Sequence, residues 1–467
     1  MGNFLGIDLG TSYFKVGIFN EKGKMIGLGR KSVKKFTGDG TICELSVIDF
    51  WDTINACVKE ALQKADITSE EILSFSYSSQ TNSFILLDEN DNPLTPLILW
   101  PDRRAEETGL PVLDLQYKKD FMEKTGLGIN LNSELAIAKI FWFQKKQTEI
   151  WKHVKSILSI SDYLTFKLTG QKISDVSTAS MTGLLDVLKC QWWSHALKSF
   201  YLNSELLPTL KRTGSFVGKI TESGAQLIGL NADVSYYSGG FDHQCAAIGC
   251  GVTQSNNISE STGTVLACVS YSNEYSPGIN RCTFPGLDNN HYFELSFNGN
   301  GAVSLEWYKE NYAKEYSIPE LLDLAKANKD GCEGLVARPS ANKYEGLSGF
   351  ENVKSCHKHG HFILALLEST ANDLAGLVKL VKAPDFSGRI ISTGGGAKSS
   401  LWVRIKSDRL STIFNIPECN ETACMGAAMI GAVGTGKCGD WNEITNNWIR
   451  FKEIVRPVSE KKNEFLK

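Results

Sequence analysis

The chain has 467 residues, 42% hydrophobic and 22% charged, with 49 Lys and Arg against 52 Asp and Glu. That length suits two or three domains whose cores need no disulfide or metal staple, and a formal net charge of -3 argues against a nucleic-acid surface as the main function, because phosphate backbones attract clustered excess cation. The 12 cysteines are scattered without a C-x-x-C pair and read as reduced, buried intracellular thiols. The stretch from Met1 to Asp8 has no basic region, and a carboxylate interrupts its apolar run, so it does not read as a signal peptide. No apolar stretch reaches the ~18 residues of a membrane span. The composition predicts a soluble, cytoplasmic, multidomain enzyme.

Antiparallel strands open the chain. Phe4 to Ile7 and Tyr13 to Phe19 read as strands around the turn Asp8-Leu9-Gly10-Thr11-Ser12, and a second turn at Asn20 to Lys24 leads into Met25 to Val33. An amphipathic helix follows, with Val47, Phe50, Trp51, Ile54, Cys57, Val58, Ala61, Leu62 and Ala65 at three- and four-residue spacing. Ser46 and Asp49 before it resemble a capping box. Ile72 to Tyr77 and Phe84 to Leu87 are short strands, helical spacing returns near Leu135 to Gln144 and Asp162 to Leu168, and the alternation continues to the C-terminus. This is an α/β pattern without a Pro/Ser-rich linker, so the domain boundary is a compact hinge. The strand, Gly-Thr turn and strand of residues 6–12 are echoed by Ile258 to Ala267, although 42 glycines make two such dipeptides easy to obtain by chance.

Several clusters have residue types suited to chemistry. The Asp8 to Ser12 turn can aim N–H groups and hydroxyls at a phosphate, and its carboxylate can hold Mg²⁺ through water; it can equally be a plain hairpin turn with a capping Asp. It is not a Walker A loop. Gly394-Gly395-Gly396-Ala397 lies at a strand-to-helix turn, which suits a nucleotide or a tight structural turn alike. It lacks the third glycine of a dinucleotide fingerprint, which argues against a dehydrogenase. Gly239-Gly240-Phe241-Asp242-His243-Gln244 delivers either a general base or an N-cap to an apolar helix. Trp100-Pro101-Asp102-Arg103-Arg104 ends a strand and suits a polyhydroxyl ligand or a surface ion pair. His357, His359 and His361 have metal-like spacing, but no nearby Cys or carboxylate obviously completes a ligand shell, and a solvated loop before the helix Phe362 to Leu380 is expected.

Together the blocks at Asp8, Asp242, Gly263 and Gly394 resemble the FGGY carbohydrate kinases, in order and spacing, from Gly6 to about Trp441. Ile160 to Leu164, Leu168 to Gly170, Asp175 to Ser180 and Glu421 to Ala428 fit the same family, which belongs to the sugar kinase/actin/heat-shock-chaperone ATPase superfamily. The resemblance implies an α/β fold of two actin-like ATPase (ribonuclease H-like) domains, with mixed β-sheets flanked by helices, facing a central cleft. Residues 1–245 would carry the sugar site, the first phosphate loop and the catalytic base; residues 246–467 would carry the second phosphate loop and the adenosine motif, with a hinge close to Cys245.

The resemblance also assigns roles. Asp8 would hold Mg²⁺ through water. Gly10, Thr11 and Ser12 match the first phosphate loop, and Gly263 and Thr264 the second, which makes the echo a true duplication. Gly394, Gly395, Gly396 and Ala397 match the adenosine motif, with Ser399 and Trp402 beside it. Asp242 matches the base, and Gln80, Thr81, Asn82, Asp102, Arg103 and His243 fall at sugar-contacting positions. The implied activity is ATP-dependent phosphorylation of a hydroxyl on a small sugar or polyol, with xylulose first among candidates, with domain closure excluding water. Many pentulose kinases of the family have Gln-Met-His where this chain has Gln80-Thr81-Asn82, and Asn, Gln or Thr where it has His243. The stretch Gly334 to His361 is also short. The first two departures touch the choice of sugar, not the phosphate chemistry. Family members often dimerise, and no nucleic-acid or membrane partner is expected. The alternative from another class is a non-catalytic, actin-like ATP-binding regulator or assembly protein, which a lost base or phosphate loop would favour.

Overall fold

Asn3–Leu9 is buried along its whole length and forms strand β1 at the middle of a sheet. In the computed structural model, residues 2–106, 114–254, 256–328, 331–339, 347–381, 386 and 388–458 are described. The chain forms two compact units. Unit 1 comprises Met1–Thr253, Ser272–Phe293 and Glu421–Ile449; unit 2 comprises Gln254–Tyr271, Glu294–Asn420 and Arg450–Lys467.

In unit 1, β1 pairs antiparallel with β2 (Tyr13–Asn20), which pairs antiparallel with β3 (Met25–Ser32). On its other side β1 runs parallel to β4 (Ile72–Ser79). The sheet continues through β6 (Ser235–Tyr237), parallel to β4, to β5 (Phe216–Lys219), antiparallel to β6. Helix α1 (Val47–Ala65) covers one face with Phe50, Ile54, Cys57, Val58 and Ala61, all fully buried. The side chain of Ser46 caps it by accepting from Asp49 N, but only half of the expected capping box forms, because the Asp49 carboxylate takes the Ser46 hydroxyl.

The other face of the sheet holds α3 (Asp242–Gly249) and α6 (Thr422–Gly434). Strand β4 alternates large Phe75 and Tyr77 with small Ser74, Ser76 and Ser78, and α6 is rich in Ala and Gly. Small side chains let the backbones nearly touch: a Cβ on Gly6 would lie 1.9 Å from Cys424 O, and one on Gly426 would lie 1.8 Å from Cys245 O. Residue 245, where the division of the chain is expected, lies inside α3, and unit 1 runs on to Thr253.

Unit 2 repeats this plan. Strand β7 (Asn257–Thr262) pairs antiparallel with β8 (Leu266–Ser272) and parallel with β10 (Arg389–Gly394). Beyond β8 comes β9 (Tyr292–Asn298); beyond β10 come β11 (Phe414–Pro417), parallel to it, and antiparallel β12 (Phe451–Val455). The order β3-β2-β1-β4-β6-β5 therefore matches β9-β8-β7-β10-β11-β12 strand for strand. Helix α4 (His359–Val381) and α5 (Ser400–Leu410) complete the unit's core around Leu374, Val378, Ile390, Val403 and Phe414. Among the described residues no helix is long and apolar enough to cross a membrane.

Candidate active site

Asp8 ends β1, where its cross-strand partner is Lys15. Ser78 Oγ, from β4, donates to Asp8 Oδ1 at 2.9 Å. Lys15 Nζ lies 3.7 Å from Asp8 Oδ2 and 2.7 Å from Glu421 Oε2, just before α6. Burial pushes the Asp8 carboxyl up to about 6; Lys15 pulls it down, and the charge of Asp242 pushes it up further. Burial pulls Lys15 down, but the carboxylates of Asp8 and Glu421 outweigh it and hold its amine above the ordinary value.

Asp242 opens α3 and is half-buried. The backbone just before it is fixed from below: Phe241 N–H donates to Ser177 Oγ at 3.0 Å, and Ser177 Oγ donates to Asp175 Oδ1 at 2.7 Å. Asp175 also accepts from Tyr77 OH at 2.8 Å and Thr178 N at 2.7 Å. Burial raises its pKa while these donors pull it back. A buried, well-bonded carboxylate of this kind anchors the backbone that leads into Asp242. The charges of Asp242 and Glu421 both act on Asp8, and those of Asp8 and Glu421 both act on Lys15. An oxygen-only donor set with surplus negative charge suits a hard divalent cation such as Mg²⁺.

The expected sugar-facing positions divide in two. Thr81 and His243 are half-buried, and Arg103 is exposed with its Nη2 donating to Gly40 O at 3.1 Å. Gln80, Asn82 and Asp102 instead have their polar atoms engaged by the protein. Gln80 Nε2 donates to Leu9 O and Gly10 O, each at 3.3 Å, and its Oε1 accepts from Ser83 Oγ at 2.9 Å. Asn82, at φ 59°, donates to Met181 O at 3.2 Å and accepts from Ala136 N at 3.0 Å, at the start of α2 (Ala136–Lys146). Asp102 is fully buried and accepts from Cys43 N at 2.7 Å and from Arg104 Nε and Nη2, both at 2.8 Å. Gly10 and Thr11 are half-buried and Ser12 is exposed, in the turn after β1.

In unit 2 the turn Gly263-Thr264 follows β7, and the register pairs Thr262 with Gly394. Gly394 has φ +78°, a conformation that L side chains rarely adopt. A Cβ on Gly396 would lie 2.7 Å from Thr262 Cβ. Gly395 leads into a 3₁₀ turn at Gly396–Lys398, and Ser399 caps α5 by accepting from Trp402 N at 3.3 Å. Beneath the turn sits an ion pair with no solvent exposure, Lys406 Nζ to Glu260 Oε1 at 2.9 Å. Thr262 Oγ1 donates to Glu260 Oε2 at 2.9 Å, and Ser392 Oγ also donates to this carboxylate.

The histidine segment differs from expectation in one respect: the fold brings Glu333 and Cys356 beside His357, with ligating atoms all within 4.8 Å. His357 Nδ1, however, accepts from Lys354 N at 3.1 Å. That bond keeps the ring hydrogen on Nε2, so no outward lone pair remains for a metal. His359 starts α4, where its Nδ1 is 2.8 Å from Tyr308 OH.

Glu421, Asp175, Ser177 and the Glu260–Lys406 pair were given no role by sequence reasoning. The Asp8–Lys15 pair was within reach of it, because a four-residue turn after Leu9 sets those two residues opposite each other.

Two carboxylates at a strand end and a helix start, with glycine turns repeated in two duplicated units, define a two-domain phosphotransferase of the actin-like superfold. The N-terminal domain of the FGGY family of carbohydrate kinases matches residues 3–249, and its C-terminal domain matches residues 337–435. The chain belongs to this family and is an ATP-dependent carbohydrate kinase, a phosphotransferase with an alcohol group as acceptor. It is 27% identical over 469 residues to a xylulose kinase of Staphylococcus epidermidis, spanning 98% of this chain and 92% of that one. It is 25% identical over 489 residues to a gluconokinase of Bacillus licheniformis, spanning 99% and 93%. Among solved structures, a ligand-bound xylulose kinase from Lactobacillus acidophilus superposes with a TM-score of 0.88 at 21% identity, over 98% of this chain and 94% of that one. These likenesses favour the enzyme over a non-catalytic regulator.

Proposed function

We propose that the enzyme phosphorylates a ketose, with xylulose first among candidates, using Asp242 as general base. The observation that carries the base is its setting: Asp242 opens α3, remains half-buried, and follows backbone tied to the buried Asp175. The sugar rests on likeness to xylulose kinases over nearly the whole chain. Asp242 accepts the proton of the attacking hydroxyl, a contribution worth roughly 10²–10⁴-fold. Gln80, Thr81, Asn82, Asp102, Arg103 and His243 meet the sugar, with Gln80, Asn82 and Asp102 also holding nearby backbone. Gly10, Thr11 and Ser12 in unit 1, and Gly263 and Thr264 in unit 2, offer N–H and hydroxyl donors to phosphate oxygens. Gly394, Gly395, Gly396, Ala397 and Ser399 take the adenosine. Asp8 holds Mg²⁺ through water, and the bound cation would screen phosphate charge. The functional division follows residues 1–245 and 246–467, the site of action is the cytoplasm, and a second copy of the chain is the expected partner, checked by light scattering.

The test is a coupled ADP-release screen over ketoses, aldoses, polyols and sugar acids. Xylulose should give the highest kcat/KM; a preference for gluconate would overturn the ketose reading. Asp242→Asn should lose turnover by at least 10²-fold while binding ATP almost as before. Surviving turnover would remove Asp242 as the base.

A further inference from the structure

Lys139 takes no part in the chemistry above, yet its side chain is fully buried. It lies on α2 in the run Ala136-Ile137-Ala138-Lys139-Ile140-Phe141, where the neighbouring positions are apolar. Its Nζ donates to Leu99 O at 3.0 Å and Trp100 O at 3.1 Å. Burial pushes its amine down to about 7, against the pull of the Asp102 and Glu134 carboxylates and with the push of Arg104. Burying an amine is unfavourable unless it satisfies groups that would otherwise be stranded. Here Lys139 ties together the carbonyls of Leu99, which also accepts from Asp102 N, and Trp100, just after the short strand Leu97–Ile98.

Trp100 is the residue so held. Its N–H donates to Ser83 Oγ at 2.8 Å, and its indole Nε1 donates to Thr11 Oγ1 at 2.6 Å. Ser83 in turn donates to Gln80, and Gln80 reaches Leu9 O and Gly10 O. The circuit thus begins and ends on the turn after β1. An indole N–H can only donate, so Thr11 Oγ1 must accept. The Thr11 proton is therefore turned away from the indole, and accepting a hydrogen bond polarises a hydroxyl into a stronger donor. A hydroxyl prepared in this way suits an anionic oxygen, because bonds to charged acceptors are the strong ones.

We propose that Trp100 and Lys139 are positioning residues for phosphoryl transfer: the indole sets the Thr11 hydroxyl as a donor to a phosphate oxygen of the nucleotide, and Lys139 fixes Trp100. This rests on the reading of Gly10 to Ser12 as a phosphate loop. The test is a double-mutant cycle in the full-length enzyme. Trp100→Phe keeps a ring but loses the N–H, and Thr11→Val keeps the shape but loses the hydroxyl. Each should lower kcat/KM for ATP about ten-fold, the scale of one lost hydrogen bond. The double mutant should be no worse than Thr11→Val alone. Lys139→Met should show the same pattern at smaller size, with melting curves reporting whether it folds; Trp100→Phe carries the test if it does not. Additive losses, or a Trp100→Phe effect confined to KM for the sugar, would overturn the proposal. A Thr11→Val enzyme with unchanged ATP parameters would instead overturn the phosphate-loop reading.

Discussion

In unit 1 the strand before the Gly-Thr turn carries Asp8, with Lys15 and Glu421 beside it and its carboxyl held up near 6 by burial and Asp242. In unit 2 the matching strand carries Glu260, sealed against Lys406 with neither side chain exposed. The turns differ too: four residues, Gly10 to Tyr13, separate the paired Leu9 and Phe14, but only three, Gly263 to Val265, separate Thr262 and Leu266. The sheet order is shared, but the two carboxylates are not equivalent: Asp8 lies one residue before the last paired residue Leu9 and Glu260 two before Thr262, on the opposite face of its strand. Glu260 has a dedicated cation and hydroxyls, so it is scaffold. Asp8 shares its cation with Glu421 and is held up in pKa chiefly by burial, the kind of perturbed carboxyl that clusters at functional sites.

The contrast can be broken most forcefully at Lys406. Lys406→Met leaves a buried carboxylate without its cation and should destabilise unit 2 by roughly 3–5 kcal/mol, seen as a lower denaturation midpoint; an unchanged midpoint would mean that Glu260 is not held in this way. Asp8→Asn should do the reverse. The folded chain holds the Asp8 proton more tightly than the unfolded chain, so its favourable contribution is present below about pH 4 and lost as pH rises to about 6. Without added magnesium at pH 8, Asp8→Asn should therefore be more stable than wild type by on the order of 3 kcal/mol, the gap closing in acid, while turnover is lost. A variant less stable at pH 8 would contradict this cost of burial.

Smaller effects sharpen the picture. A Cβ at Gly396 would press on Thr262, so Gly396→Ala should cost ~1–3 kcal/mol and raise KM for ATP, leaving KM for the sugar alone. Equal changes in both constants would count against a nucleotide role for that turn. Lys15→Met should alter stability by less than ~1 kcal/mol, the side chain being part-exposed. Because Lys15 pulls the Asp8 pKa down, its loss should, in magnesium-free protein, extend to higher pH the range over which stability falls; an unmoved range would separate Lys15 from Asp8.

Much of this was legible in residue order. Short apolar runs between turn signals mark β1, β2 and β3, the spacing from Val47 marks α1 in full, and the Gly-Thr echo foreshadows the repeated sheet. What was hidden was who answers each polar group. Gln80, Asn82 and Asp102 fall at sugar-contacting positions by resemblance, but their bonds to Leu9 O, Ala136 N and Cys43 N involve backbone that only the folded chain brings near. Lys139, Glu260 and Lys406 carry no local sequence signal, because the partners that hold them come from other elements. Hydrogen-bond partners are fixed by three-dimensional neighbours, which local periodicity does not encode.

Helix α6 has a consequence for how the chain is made. Its Gly426 meets the backbone of α3, its Cys424 carbonyl meets Gly6 of β1, and Glu421 beside it binds Lys15. A ribosome delivers these residues late, after almost all of unit 2. Until then the Ser-rich face of β4 and the open flank of α3 have no cover. The first-made unit is therefore among the last to be completed, and a nascent chain halted before Glu421 would hold Asp8 and Asp242 without the helix that brings their surroundings into register.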